Sequence, residues 1–409
     1  MKRRLYLGRD LARVQTIEEL RQMAMRRLPA FAWQYIESGA EDEHTLARNR
    51  SAFRDYTFGA RTLIDTSERD TTIKLFGEVL PMPLAIAPTG FNGLAFPGGD
   101  GALARAAAHT GVPFTLSSFA NESIEAIADT AGGKLWFQLY VLDNLRLTEQ
   151  LVHRARKAGY RALLVTTDAN VASSREWQKR CYRSPGRLTL QHQLDALLHP
   201  RWTYHFALAV MSRGMPIFAN LATFYPPSQL SATRAAPLIT AQLKPRITWE
   251  DIRKLRRLWD APLLIKGVLS ADDAVRAHEL GVDGVVLSNH GGRQLDDAIS
   301  PLEILSATRS RLPDFPLLID SGFRRGNDIL KAIALGATAV MVGRSTLYGL
   351  AAAGEAGATR ALHILSSEID RTLGLMGCTH LGSVSELMRT DRAEPCAPLC
   401  REKQYFSVG

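Results

Sequence analysis

Long apolar runs are missing from this chain. No stretch of its 409 residues approaches the roughly 18 uninterrupted apolar residues that a bilayer-crossing helix needs, so no span is expected. The basic start Met1-Lys2-Arg3-Arg4 runs into Arg9, Asp10 and Arg13 without an apolar core, so a secretory signal is not expected. Cysteine is scarce: of the four, Cys181, Cys378, Cys396 and Cys400, only the last two are close together. A chain of this size buries a full core without disulfide staples, which points to a reducing compartment. Cys396 and Cys400 have no second pair or nearby histidine, and no histidine pair has metal spacing, so no metal site is expected. There is no GxGxxG after the first strand and no Walker loop, which argues against nicotinamide and nucleotide triphosphate chemistry. Internal repeats, low-complexity segments and arginine-aromatic nucleic-acid modules are also lacking, and no nucleic-acid partner is expected.

What is present reads as a globular protein, 46% hydrophobic and 22% charged. Its formal charge of +9 suits an anionic substrate, an anionic membrane surface or nucleic acid, and charge alone does not choose among them. Thr16-Ile17-Glu18-Glu19 is a capping box that opens a helix closed by Pro29, and a second helical stretch leads to Tyr35. From Pro83 onward, short apolar runs alternate with helical patterns. Leu84–Ala87, Pro113–Leu116, Leu135–Phe137, Ala162–Val165, Pro262–Ile265, Val285–Leu287, Pro316–Ile319 and Val340–Val342 read as eight buried strands. Continuous apolar strands separated by helices predict a parallel sheet covered on both faces. Eight of them fit a closed (β/α)8 TIM barrel, in a single domain over 1–409 with a helical lead-in. Polar residues follow each strand: Thr89, Ser117, Gln138 with Tyr140, Thr166 with Asp168, Lys266, His290, Asp320 and Arg344. They mark the rim where such barrels keep their active sites.

Between Asp168 and Pro262 lies more chain than one helix requires, so 186–242 is read as an insertion after the fourth strand. It carries Trp202, Tyr204, Phe206, Phe218, Phe224 and Tyr225 among aliphatics, with Arg187, Arg201 and Arg213 nearby. That composition suits a segment lying in a membrane interface, and equally a lid or an oligomer contact.

Chemistry concentrates in Ser288-Asn289-His290-Gly291-Gly292-Arg293-Gln294-Leu295-Asp296. On a glycine-flexed turn, His290 can take a proton near neutral pH while Arg293 grips a carboxylate as a planar fork. Asp168 is a candidate partner that holds the imidazole. Asp320-Ser321-Gly322-Phe323-Arg324-Arg325-Gly326 and Gly343-Arg344 follow the seventh and eighth strands, where barrels of this kind commonly build a phosphate site. Asp320 suits a ribityl hydroxyl. Lys266, at the end of the fifth strand, would stabilise negative charge beside a reduced flavin.

Together these residues resemble the FMN-dependent L-2-hydroxy acid dehydrogenase and oxidase family. The likeness runs through Tyr35 to Glu43, Ala87-Pro88-Thr89-Gly90, Leu116-Ser117-Ser118, Phe137-Gln138-Leu139-Tyr140, Ser288 to Asp296 and Asp320 to Gly326. The resemblance implies FMN contacts from Pro88, Thr89, Gly90, Ser117, Gln138, Thr166, Lys266, Ser288, Asp320, Gly322, Arg324, Gly343 and Arg344. It implies substrate contacts from Tyr35, Tyr140, Arg175, His290 and Arg293, with the two arginines on the carboxylate and His290 taking a proton. Asn170, Ser173, Gln178 and Cys181 depart from the family pattern around Arg175.

Within the family, Thr166-Thr167-Asp168, Leu198-His199-Pro200-Arg201-Trp202 and Gly214-Met215-Pro216 resemble the membrane-associated (S)-mandelate dehydrogenase branch. Gly90, where many relatives carry alanine, leaves room for a larger substrate. The branch implies oxidation of mandelate or a similar aromatic (S)-2-hydroxy acid to the 2-keto acid, with electrons passed to membrane quinone. It also implies peripheral attachment through the insertion on the cytoplasmic side of the inner membrane, and a homotetramer. The alternatives are an L-lactate dehydrogenase, an oxygen-using oxidase and a non-catalytic flavin-binding membrane scaffold.

Overall fold

A computed structural model describes residues 5, 6, 8–184, 186–230 and 247–390. Cys396, Cys400, the Met1 to Arg4 start and the insertion's last stretch lie outside the described residues. Strands β1 (Leu84–Thr89), β2 (Phe114–Ser117), β3 (Leu135–Tyr140), β4 (Ala162–Thr166), β5 (Leu263–Val268), β6 (Gly284–Leu287), β7 (Leu317–Ile319) and β8 (Ala339–Val342) form one closed parallel barrel. They pair in chain order, and β8 closes onto β1. Each of the eight apolar runs is a strand, as expected.

The strands are apolar throughout because both faces are covered. Ala85, Trp136, Leu164, Leu264, Val286, Leu318, Ala339 and Met341 form the interior cluster. Their neighbours Ile86, Phe137, Leu163, Val165, Ile265, Val285 and Ile319 belong to the outer core against the helices. Truncating one such interior leucine to alanine costs roughly 2–5 kcal/mol. A hairpin of Ile73–Leu75 and Glu78–Leu80 plugs the N-terminal end, with Phe76 set edge-on to Trp136 at 6.1 Å.

Ahead of the barrel, α1 (Ile17–Arg27) starts at the expected capping box, with Thr16 and Glu19 bonding each other's backbone amides. It is followed by α2 (Ala30–Glu37) and α3 (His44–Ser51). Within the insertion, α4 (Leu190–Leu197) and α5 (Pro200–Arg213) pack beside this lead-in. Pro29 has no side chain with which to cap α2, and Asp195 supplies the missing acceptor, 2.6 Å from the Ala30 amide. The last barrel helix, α6 (Arg344–Met376), runs along α1 and kinks at Ala353 and Gly354.

The insertion differs from the sequence expectation in which side chains face out. Trp202 is buried, donates to the Leu94 carbonyl and stacks on Phe206 at 4.6 Å. Phe218, Phe224 and Tyr225 also pack on the core. Of the six aromatics only Tyr204 is exposed, and it is joined by the aliphatic Leu190, Leu194, Leu197 and Leu198 on and just after α4 and by Leu208 and Met211 on α5. These recur every three or four residues, so they make one outward stripe on each helix while Trp202 and Phe206 pack inward. Among the described residues no helix is long and apolar enough to cross a membrane.

Candidate active site

The strand register gathers the polar groups at the C-terminal rim. Ser117 lies opposite Gln138, Tyr140 opposite Thr166, and Thr166 opposite Lys266. Side-chain bonds follow that order: Ser117 donates to Gln138 at 3.0 Å, and Gln138 donates to Thr166 at 2.8 Å. Lys266 is buried, donates to Ser288 Oγ at 2.8 Å and sits 2.7 Å from Asp320 Oδ2. Such a buried pair survives because each charge has both an opposite partner and a hydrogen bond. Ser321 completes it, donating to Asp320 and accepting from the Gly291 amide.

His290 stands at the start of the glycine turn in a left-handed conformation, φ 58°, followed by Gly291 and Gly292 at 67° and 73°. Its amide donates to Ser288 Oγ at 3.0 Å. Its Nδ1 is 2.9 Å from Asp168 Oδ1, so the carboxylate holds the proton on Nδ1 and turns Nε2 toward the Tyr140 hydroxyl, 3.4 Å away. Gly267 makes room for this carboxylate: a Cβ there would lie 2.6 Å from Asp168 Cγ. Burial alone would raise the Asp168 carboxyl, but the charge and hydrogen bond of His290, with Lys266 beyond, hold it below its ordinary value.

Cations gather opposite the histidine. Arg293 lies over the Tyr35 ring and donates to the Ser38 carbonyl at 3.0 Å. Burial first, then the charges of Arg175 and Arg344, pull its guanidinium well below the ordinary arginine value. Among the described residues neither Arg293 nor Arg175 is paired with a carboxylate, an arrangement that favours an anion beside them. Arg175 is half-buried on the loop after β4, and no described residue bonds its guanidinium. The neighbouring Ser173, one of the departures from the family pattern, donates to the Arg293 carbonyl at 2.6 Å. An aromatic wall stands alongside: Tyr35 bonds the Gly90 carbonyl and meets Phe91, Phe119 stacks on Tyr140 at 4.8 Å, and Phe218 touches Phe91 and Phe119.

The remaining expected residues sit on the same rim. Pro88, Thr89 and Gly90 end β1 and begin its loop, and the Thr89 hydroxyl is buried without a partner. Gly322, φ 90°, presses so close to the Asn49 carbonyl that no Cβ would fit. Arg324 bonds Ser345 and lies over Tyr348. At Gly343 a Cβ would meet nothing nearer than 3.8 Å, which leaves open space at the start of α6. The Arg344 guanidinium donates to the carbonyls of Ile36, Glu37, Ser38 and Gly291, so it also ties the lead-in to the histidine turn.

Sequence reasoning missed Asn49 and Asn289, buried residues that exchange side-chain bonds at 2.7 and 2.8 Å beneath the turn. It also missed Asp296 as the acceptor for the first amides of α3, and the wall residues Phe91 and Phe119. Asn289 and Asp296 carried a signal, as members of the histidine motif.

An unsatisfied hydroxyl at Thr89, a buried lysine and open space at a helix start fit a flat, phosphorylated redox cofactor. Fold and site together define a flavin-dependent oxidoreductase on a (β/α)8 barrel. The chain belongs to the FMN-dependent dehydrogenase family, whose model matches residues 24–390, and its cofactor is FMN. Its reaction class is the oxidation of 2-hydroxy acids. It is 45% identical to (S)-mandelate dehydrogenase of Pseudomonas putida over 371 residues, 90% of this chain and 92% of that protein. It is 38% identical to glycolate oxidase 1 of Zea mays over 380 residues, 92% and 95% of the two chains. The crystal structure of a monotopic membrane protein, (S)-mandelate dehydrogenase, superposes with a TM-score of 0.87 at 44% identity, covering 93% of this chain and 100% of that one.

Proposed function

We propose that the protein oxidises an (S)-2-hydroxy acid with an aromatic side chain, mandelate or a close analogue, to the 2-keto acid and passes the electrons to membrane quinone. One observation carries this reading: the oriented His290–Asp168 pair faces the guanidiniums of Arg293 and Arg175 beside an aromatic wall. Arg293 and Arg175 bind the substrate carboxylate, and Tyr35 and Tyr140 steady its oxygens. His290 takes a proton from the substrate, and Asp168 stabilises the imidazolium that results. The residues that would hold FMN are Pro88, Thr89, Gly90, Ser117, Gln138, Thr166, Lys266, Ser288, Asp320, Gly322, Arg324, Gly343 and Arg344. When bound, FMN supplies a two-electron acceptor. Lys266, held by Asp320 and Ser288, would stabilise negative charge on the reduced flavin.

The attachment we propose is peripheral, on the cytoplasmic face of the inner membrane, through the apolar stripes of α4 and α5. An apolar stripe with Arg201 and Arg213 close by suits an interfacial helix, and the likeness to a monotopic membrane protein supports it. A homotetramer is the assembly we propose, which analytical ultracentrifugation tests.

Anaerobic mixing with (S)-mandelate and with lactate, following loss of the flavin colour, tests the substrate. Faster bleaching by mandelate is expected. Faster bleaching by lactate, or rapid reoxidation by air with peroxide formed, would replace this reading with a lactate dehydrogenase or an oxidase. A His290→Ala variant is expected to hold FMN and fail to bleach, and undiminished bleaching would remove the assigned base.

A further inference from the structure

Asn220 belongs to the insertion yet has no exposed surface. Its Oδ1 accepts from the Ile124 amide at 2.9 Å, and its Nδ2 reaches the Ser117 carbonyl at 3.4 Å. Its own carbonyl accepts from Arg154 at 3.0 Å, and Arg154 is held bidentate by Glu125. Neighbouring bonds run the same way: the Ala219 amide donates to the Ala120 carbonyl at 3.1 Å, and Asn121 donates to the Ile217 carbonyl at 2.9 Å. Residues 217–220 thus grip the loop after β2 from both of its ends. A buried position that must accept and donate at once needs a side-chain amide; alanine offers neither group and aspartate lacks the donor.

The gripped loop leads directly to the reacting groups. Ser117 accepts from the Phe119 amide, and Ser118 accepts from the Tyr140 amide at 3.1 Å. Phe119 stacks on Tyr140, whose hydroxyl faces His290. Phe218, two residues before Asn220, braces both Phe119 and Phe91. We propose that Asn220 is a positioning residue for the oxidation, pinning the insertion to the β2 loop so that Phe119 and Tyr140 stay aligned with His290. The inference rests on the reading of His290 as the base.

Arg293 and Arg175, on the loops after β6 and β4, receive no bond from this segment. Loosening the pin therefore slows the chemical step while leaving carboxylate binding in place. The test uses flavin-loaded Asn220→Ala and Asn220→Asp proteins mixed anaerobically with (S)-mandelate or lactate, whichever bleaches the parent faster. Vesicle co-sedimentation and hydrogen exchange at the Ile124 amide accompany it. Asn220→Asp keeps the acceptor for Ile124 and pairs with Arg154, so it guards against a misfolded alanine variant. The bleaching rate constant is expected to fall roughly 10- to 100-fold, as for a small misplacement of a catalytic group. KM should be little changed, bleaching amplitude per bound flavin and sedimentation unchanged, and Ile124 exchange faster in the alanine variant. A parental rate constant in Asn220→Asp, or a reduced amplitude at the parental rate, would overturn the proposal by leaving Asn220 only a structural role. His290→Ala in parallel separates the two readings: if it bleaches normally, the base assignment is what fails.

Discussion

His290 occupies a backbone conformation that a side chain other than glycine rarely adopts, at a cost on the order of 1–3 kcal/mol. Ser288, Gly291 and the paired amides of Asn49 and Asn289 hold it there, and the return is a ring aimed at Asp168 on one side and Tyr140 on the other. Replacing Asp168 with Asn should keep FMN bound and slow bleaching by roughly 10²- to 10⁴-fold, because the imidazole loses both its preferred tautomer and its counter-charge. A stopped-flow rate close to the parent's would show that Asp168 is dispensable. Gly90 tests side-chain room. An alanine methyl there would sit 3.3 Å from the Phe119 carbonyl and 3.8 Å from Ser117 Oγ, so the loop must give slightly. Gly90→Ala should lower turnover on mandelate more than on lactate, and equal losses would place the bulky side chain elsewhere. At this scale the histidine motif was legible because its chemistry is contiguous in the chain. Asn49 was not, since its partner lies 240 residues away.

Secondary-structure elements divide the insertion into two parts with different work. Helices α4 and α5 turn Leu194, Leu198, Leu208 and Met211 outward, a run of exposed aliphatics that water disfavours. Substituting Leu194, Leu198 and Met211 together with Gln should release the protein from vesicles in a flotation assay and leave anaerobic bleaching intact. Continued flotation with the vesicles would move the attachment elsewhere. The following segment, 217–221, belongs to the barrel mouth through Asn220 and Phe218. A linker replacing all of 186–242 would therefore remove both, whereas one confined to 190–213 separates attachment from catalysis. Composition suggested an interfacial segment, but could not tell the inward aromatic face from the outward aliphatic one. That division depends on Phe31 and Leu94 being present to receive Trp202.

Across the whole molecule, the loops of the rim are joined by a buried carboxyl at Asp100. It accepts from Asn92, from the Asn121 amide and from the Glu122 amide, linking the loops after β1 and β2. Burial foremost, then the charge of Glu122, pushes its pKa up to about 7 against the pull of those bonds. Between the ordinary carboxylate pKa and about 7, the folded state keeps a proton that the unfolded chain has released, so stability falls as pH rises through that window and levels off above it. Asp100→Asn should flatten this slope, read as urea midpoints at about pH 5 and about pH 8. An unchanged slope would assign the pH dependence to other groups.

The barrel, its strand order and the candidate histidine motif are written locally. Apolar runs of strand length with polar ends can be buried on two faces in few ways, and His290 and Arg293 stand three residues apart on one glycine turn. Tertiary structure decided what surrounds that histidine: the carboxylate 2.9 Å away on another loop, the glycine that makes room for it, and the wall of Phe91, Phe119 and Phe218. Each of those joins residues tens to hundreds of positions apart, and such contacts acquire an energy only once barrel closure brings the loops to one rim.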